Sequence, residues 1–385
     1  MIVSFTIFII GVIIQVKVGF VMNRKRIKIS SIFLFIGCLI LGMIIMFLLL
    51  KIFDNKKENK VEKKKTAKKV EEKVKEKIGE SPIIKLNGPE SYKVVKNGAI
   101  YELGATATDK EDGDLSKEIK IEDKVKYDTP GEYEIVYSVK DKDENESKVS
   151  RKITIFEVED KDDDGIAVLM YHYFYDDTAG ERNDNPNYMA KSLLEEQLKY
   201  LNENDYYIPT MKELSLYLDG KLDLPKKSVV LTLDDGNISN YTLAYPLAVQ
   251  YKIPLVMFVV TSWTDVSQEL QSSMRNSGYI RFHSHTDNMH DGGCGEQHGA
   301  KILCIDHDAG VNDLKASIEK IGNADALAYP CGDINENGLS IVREAGFSMA
   351  FTVEYGLAKR GLNKLTLPRV RLNDGVSLNT FINSL

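Results

Sequence analysis

Between residues 166 and 385, short apolar runs alternate with amphipathic stretches of helical spacing, and few folds accept that order. Residues 166–171, 229–233, 255–260, 326–329 and 349–352 read as strands. Residues 193–201, 211–218, 241–251, 311–321 and 338–345 read as helices. Strands alternating with helices imply an α/β architecture with a parallel sheet or barrel. In such folds chemistry gathers at the C-terminal ends of the strands.

Residues 82–157 have a different grain. Tyr133, Ile135, Tyr137 and Val139 alternate with Glu134, Ser138 and Lys140, and Val149, Arg151, Ile153 and Ile155 continue the pattern in part. This period of two marks half-buried strands. Turn signals recur at Asn87-Gly88, Asn97-Gly98, Asp112-Gly113, Pro130-Gly131 and residues 143–145, so the segment reads as a small all-β sandwich. The run Asp109-Lys-Glu-Asp-Gly-Asp114 partly matches a calcium loop but lacks the closing glutamate, and reads as a turn. An acidic linker, 158–165, follows. The phrases around Gly104–Asp109, Glu111–Leu115 and Pro130–Tyr133 resemble bacterial immunoglobulin-like domains, which implies a module that spaces an enzyme or touches a polymer.

Upstream, residues 32–50 read IFLFIGCLILGMIIMFLLL, without a charge. About 20 such residues cross a hydrocarbon core of about 30 Å as a helix. The expectation is a transmembrane anchor at 31–53, uncleaved because no small-residue cleavage site follows clearly. An earlier apolar run within 1–30 is broken by Gln15 and Lys17, and reads as a first span or a misassigned start at Met22. Residues 54–81 form a Lys/Glu-rich stalk that cannot bury a core. Keeping the basic patch at 24–28 inside places the remainder outside, since long domains translocate largely regardless of charge. The expected location is the cell membrane, with the catalytic domain extracellular.

Composition bounds the partners. Over 385 residues a net charge of −7 argues against nucleic-acid binding, which calls for a basic domain. Four cysteines are too few for a disulfide scaffold. Cys294 and Cys304 suit one loop-closing bridge in an oxidising compartment, with free thiols as the alternative.

Two clusters carry chemistry. SVVLTLDDG at 228–236 ends a buried strand in Asp234 and Asp235. Such a pair divides its labour, one carboxylate on a metal and one handling protons, where the strand breaks into a loop. Alone, the motif equally describes a polar strand end capping the next helix. The second cluster is FHSHTDNMH at 282–290. His285 and His290 stand five apart, which suits neither one helix face nor one strand face, so they converge only across a turn. Two imidazoles with one carboxylate make a three-ligand site with an open position, typical of catalytic zinc, though iron, cobalt or nickel also suit it. His283 shares the strand face of His285 and reads as a supporting or packing residue.

SVVLTLDDG, Ser284-His285-Thr286 with His290, and Ala328-Tyr-Pro-Cys-Gly332 together resemble the successive motifs of the NodB-type polysaccharide deacetylases, carbohydrate esterase family 4. The histidine spacing is similar to the poly-N-acetylglucosamine deacetylase branch. The resemblance spans 166–385 and implies a distorted (β/α) barrel. It implies that Asp235, His285 and His290 bind a divalent metal, zinc by default, and that Asp234 is the general base. His172, otherwise an unremarkable strand-end histidine, falls at the branch's general-acid position. Tyr329, Pro330 and Cys331 fall where substrate and oxyanion are held, through the Cys331 backbone N–H. One departure is Ala328, where the family often has arginine; Arg369 or Arg371 is the candidate replacement near Asp234. The loop of Cys294, His298, Cys304 and His307 fits no established zinc spacing.

The implied reaction is N-deacetylation of N-acetylglucosamine units in a cell-surface glycan. The anchored, stalked architecture slightly favours peptidoglycan as the substrate, and the histidine spacing favours poly-N-acetylglucosamine. A non-catalytic glycan-binding protein is the reading from another class; the complete set of Asp234, Asp235, His285, His290 and His172 argues against it.

Overall fold

Seven parallel strands pair in chain order, and the last returns to the first to close a barrel. They are Ala167–Tyr171, Val229–Leu233, Leu255–Val259, Ile280–Ser284, Ala326–Ala328, Met349–Tyr355 and Leu367–Arg371, here the first to seventh barrel strands. Alternate residues face opposite ways. Leu169, Leu231 and Met257 share a core with Leu194, Leu198 and Ala248 of the surrounding helices. Val168, Val230, Phe258 and Phe351 form the inward set, with the Phe258 and Phe351 rings 5.8 Å apart across the barrel.

The structure is a computed structural model that describes residues 40–46, 51, 79–263, 266, 268–290, 292–294 and 299–385. Residues 40–46 are helical with exposed side chains. The rest of the expected anchor at 31–53, the segment 1–30 and nearly all of the stalk at 54–81 lie outside the described residues. Among the described residues no helix is long and apolar enough to cross a membrane. The chain divides into two units, 1–78 and 79–385, and the second holds both the sandwich and the barrel.

Two barrel strands were not expected. The fourth turns Arg281 and His283 inward, and the seventh turns Arg369 inward, so neither reads as an apolar run. The stretch expected as one helix at 241–251 is a π-turn, Asn240–Ala244, followed by the helix Tyr245–Tyr251. Pro246 near the start of that helix lacks the N–H that a continuous α-helix would use.

In the sandwich, Ser91–Val95, Glu146–Phe156, Gly131–Lys140 and Lys120–Asp123 form one sheet; Ile83–Leu86, Ala105–Asp109 and Gly113–Asp114 form the other. Val94, Ile135, Tyr137, Ile153 and Ile155 fill the space between them. Arg151, in the apolar phase of its strand, is fully buried, and its guanidinium is accommodated by the carbonyl oxygens of Asn87 (2.7 Å) and Gly104 (3.2 Å) and by Glu102 (3.3 Å). The acidic run is a turn, as expected: Asp109 accepts the N–H groups of Glu111 and Asp112 at 2.9 and 2.8 Å.

The sandwich packs on the N-terminal end of the barrel. The Ala99 N–H donates to Glu213 (3.1 Å), and the Tyr101 hydroxyl to Asp325 (3.3 Å). The acidic linker is strapped to the same unit, with Asp162 buried and accepting from Tyr217 at 2.7 Å.

Candidate metal and catalytic centre

The centre forms at the opposite, C-terminal end of the barrel. After the second strand, Asp235 and Gly236 both take a left-handed backbone, each at φ 72°. That break turns two adjacent carboxylates, which a continuous strand would send to opposite faces, toward the same mouth. Gly236 is required there, because a Cβ would stand 2.8 Å from Val259.

His285 follows the fourth strand and is tied to the third by its N–H on the Val259 carbonyl (2.9 Å). Its Nδ1 lies 2.8 Å from the Ala328 carbonyl, so Nδ1 carries the proton and Nε2 is left as the lone-pair donor. That Nε2 lies 3.2 Å from Asp235 Oδ1. Thr286, at φ 73°, then reverses the chain and brings His290 Nε2 to 3.0 Å from the same oxygen. The three ligating atoms lie within 4.8 Å of one another. Two imidazoles with one tautomer set by a backbone carbonyl, facing one carboxylate oxygen, fit a divalent cation. The Tyr173 hydroxyl donates to the other oxygen of Asp235.

Asp234 is built differently. Arg369, reaching in from the seventh strand, donates to both its oxygens at 2.8 and 2.7 Å, and also to the Thr352 carbonyl (3.0 Å). Burial alone would raise the Asp234 carboxyl, but the Arg369 charge outweighs it and holds the group below its usual range. Arg371, the other candidate for this role, bonds Asn187 instead. His172 is half-buried after the first strand; burial pushes its imidazole down, against a smaller upward pull from Asp234 and Asp235.

Three of the expected residues are buried. Tyr329 is in the hydrophobic core with its hydroxyl donating to the Leu365 carbonyl (3.0 Å), and Pro330 is buried beside it. Of that trio Cys331 alone is exposed, at φ 57°, with its thiol raised by burial and by the nearby Asp333 and Asp235. His283 packs against Phe258 (6.1 Å between rings), and burial pushes it down to about 3. It is a packing residue. Cys294 and Cys304 form a disulfide, which removes both thiols from any zinc site in that loop; His298 lies outside the described residues.

A cleft of about 790 Å³ opens beside Asp235, lined by Tyr173, Asn237, Thr261, Ser262 and Trp263. The Trp263 ring meets His290 edge-on at 4.9 Å. Neither Tyr173 nor Trp263 was legible as a site residue, although Trp263 is the chain's single tryptophan.

Residues 221–350 match the family model for polysaccharide deacetylases, and residues 84–155 match that for the Ig-like domain of bacterial surface proteins. Over 200 residues the chain is 27% identical to a poly-β-1,6-N-acetyl-D-glucosamine N-deacetylase of Staphylococcus aureus, covering 48% of this chain and 68% of the relative. A putative polysaccharide deacetylase of Bacillus subtilis is 28% identical over 223 residues, 56% of this chain and 74% of its own. A solved de-N-acetylase from Aggregatibacter actinomycetemcomitans superposes with a TM-score of 0.50 at 25% identity, covering 58% of this chain and all of that one. The chain therefore carries a polysaccharide deacetylase domain, a hydrolytic N-deacetylase, together with a bacterial surface immunoglobulin-like domain.

Proposed function

We propose that this enzyme removes N-acetyl groups from poly-N-acetylglucosamine at the cell surface. The observation that carries the chemistry is the convergence of Asp235, His285 and His290 on one point beside an ionised, arginine-held Asp234. The similarity to the staphylococcal enzyme moves the choice of polymer away from peptidoglycan, which the anchored architecture alone slightly favours.

Asp235, His285 and His290 would hold a divalent ion, zinc by default for this ligand set. When bound, such an ion polarises the acetamide carbonyl and acidifies water. Asp234 takes the proton of the attacking water. Held below the usual carboxylate range, it is ionised and able to accept that proton. The Cys331 N–H donates to the developing oxyanion, and His172, entering as the imidazolium that Asp234 and Asp235 favour, gives its proton to the departing amine, while Asp234 keeps the water's proton until it is lost to solvent. Products are acetate and a glucosamine unit. The apolar run at 32–50 supports a membrane anchor with this domain outside, and the Cys294–Cys304 bridge suits an oxidising compartment.

The test is acetate release by the detergent-solubilised chain from poly-N-acetylglucosamine and from peptidoglycan, with zinc or a chelator. Zinc-dependent release from the first polymer alone is expected. Release from peptidoglycan alone would return the assignment to the wall glycan, and no release from either would remove both.

A further inference from the structure

His285 is fixed by its strand, but His290 lies past a turn that belongs to no regular element, and something must set where that turn sits. Its carbonyls are tied to the loop after the third strand: Thr286 O accepts from Thr261 N–H and Asp287 O from Ser262 N–H, both at 3.1 Å. Its amides point the other way. The N–H groups of Asp287 and Asn288 donate to the two oxygens of a single carboxylate, Asp313 Oδ1 at 2.9 Å and Oδ2 at 2.8 Å. Consecutive backbone N–H groups form a natural anion cradle. Here an acid of this chain fills it. Asp313 sits on the helix His307–Ile321, whose Leu314 and Ser317 are fully buried, so the carboxylate is mounted on a rigid element.

The remaining contacts carry that placement to the histidine. Met289 N–H donates to Thr286 Oγ1 (3.1 Å) and the Met289 side chain is fully buried. His290 follows directly. Groups that orient a ligand from outside its coordination sphere typically change metal affinity by about 10- to 100-fold when removed.

We propose that Asp313 is a positioning residue that sets His290 relative to His285 by clamping the two amides between them. This rests on the reading of Asp235, His285 and His290 as a metal centre.

The experiment measures zinc affinity of the full chain in detergent by competition with a chromogenic chelator, alongside the melting temperature of the metal-stripped protein. Asp313→Asn keeps the shape but only one acceptor oxygen. It should bind zinc about 10- to 100-fold more weakly while melting within a few degrees of wild type. Asp313→Ser takes its place should Asp313→Asn fail to fold. In a His290→Ala background the Asp313 substitution should cause no further loss, because its effect passes through that side chain. Wild-type affinity in the Asp313 variant, or an undiminished loss in the His290→Ala background, overturns the assignment. A wild-type protein whose zinc binding Asp235→Ala leaves unchanged overturns the metal-centre reading itself, and this inference with it.

Discussion

The two ends of the barrel each bury a carboxylate, and they treat it in opposite ways. At the C-terminal mouth Asp234, 2% exposed, faces a full positive charge in bidentate contact with Arg369 and is held below its usual range. At the N-terminal end Glu213, 1% exposed, receives the Thr210 N–H (2.7 Å), the Tyr207 hydroxyl (2.7 Å) and the Ala99 N–H of the immunoglobulin-like domain. Those are dipoles. Burial outweighs them and a smaller downward pull from the Arg281 charge, and pushes Glu213 up. Two acids of similar depth therefore shift in opposite directions, because Asp234 has a guanidinium in bidentate contact and Glu213 does not. One acid is paired with a cation at the candidate site, and the other caps a helix and joins two domains.

The largest contrast is in activity. Asp234→Asn should lower acetate release by about 10²- to 10⁴-fold with zinc binding retained, whereas Glu213→Ala should leave turnover within about twofold at 25 °C. A Glu213 variant as inactive as the Asp234 variant would erase the division of labour. Next comes stability. Arg369→Met strands Asp234 as an unpaired buried charge and should cost about 3–5 kcal/mol in denaturant unfolding. Glu213→Ala removes an acceptor from three hydrogen-bond donors and should cost about 1–3 kcal/mol. Equal costs would mean that the guanidinium adds nothing beyond a hydrogen bond.

The finest test is the pH dependence, where the signs oppose. Asp234 is depressed in the fold, so its contribution is present above the unfolded value near 3.8 and is lost as pH falls through the folded one. The stability gap between metal-stripped wild type and Asp234→Asn should be flat above about pH 5 and shrink on acidification. Glu213 is raised, so its contribution is full below the unfolded value near 4.5 and is lost as pH rises through the folded one. The gap between wild type and Glu213→Gln should therefore be widest in acid and narrow as pH rises. Gaps that move in the same direction would break the comparison.

Much of the catalytic end was legible because its groups are close in sequence. The apolar run before Asp234 and Asp235 announces a strand end, and the five-residue step from His285 to His290 demands a turn, which Thr286 supplies at φ 73°. The alternation at 133–139 marked the sandwich strand whose Ile135 and Tyr137 reach the core. What escaped was polar and inward. Arg281 and His283 disguised the fourth strand, and Arg369 disguised the seventh.

The sequence alone determined the alternation of strand and helix, the side chains able to hold a metal and the turn that lets two histidines meet, because these depend on neighbours a few residues apart. Tertiary structure decided the direction in which each buried carboxylate shifts. Arg369 and Asp234 meet only when the seventh strand closes beside the first, and Glu213 meets Ala99 only when the sandwich docks. No local pattern carries that information, since a buried group's charge is set by what chain closure brings against it.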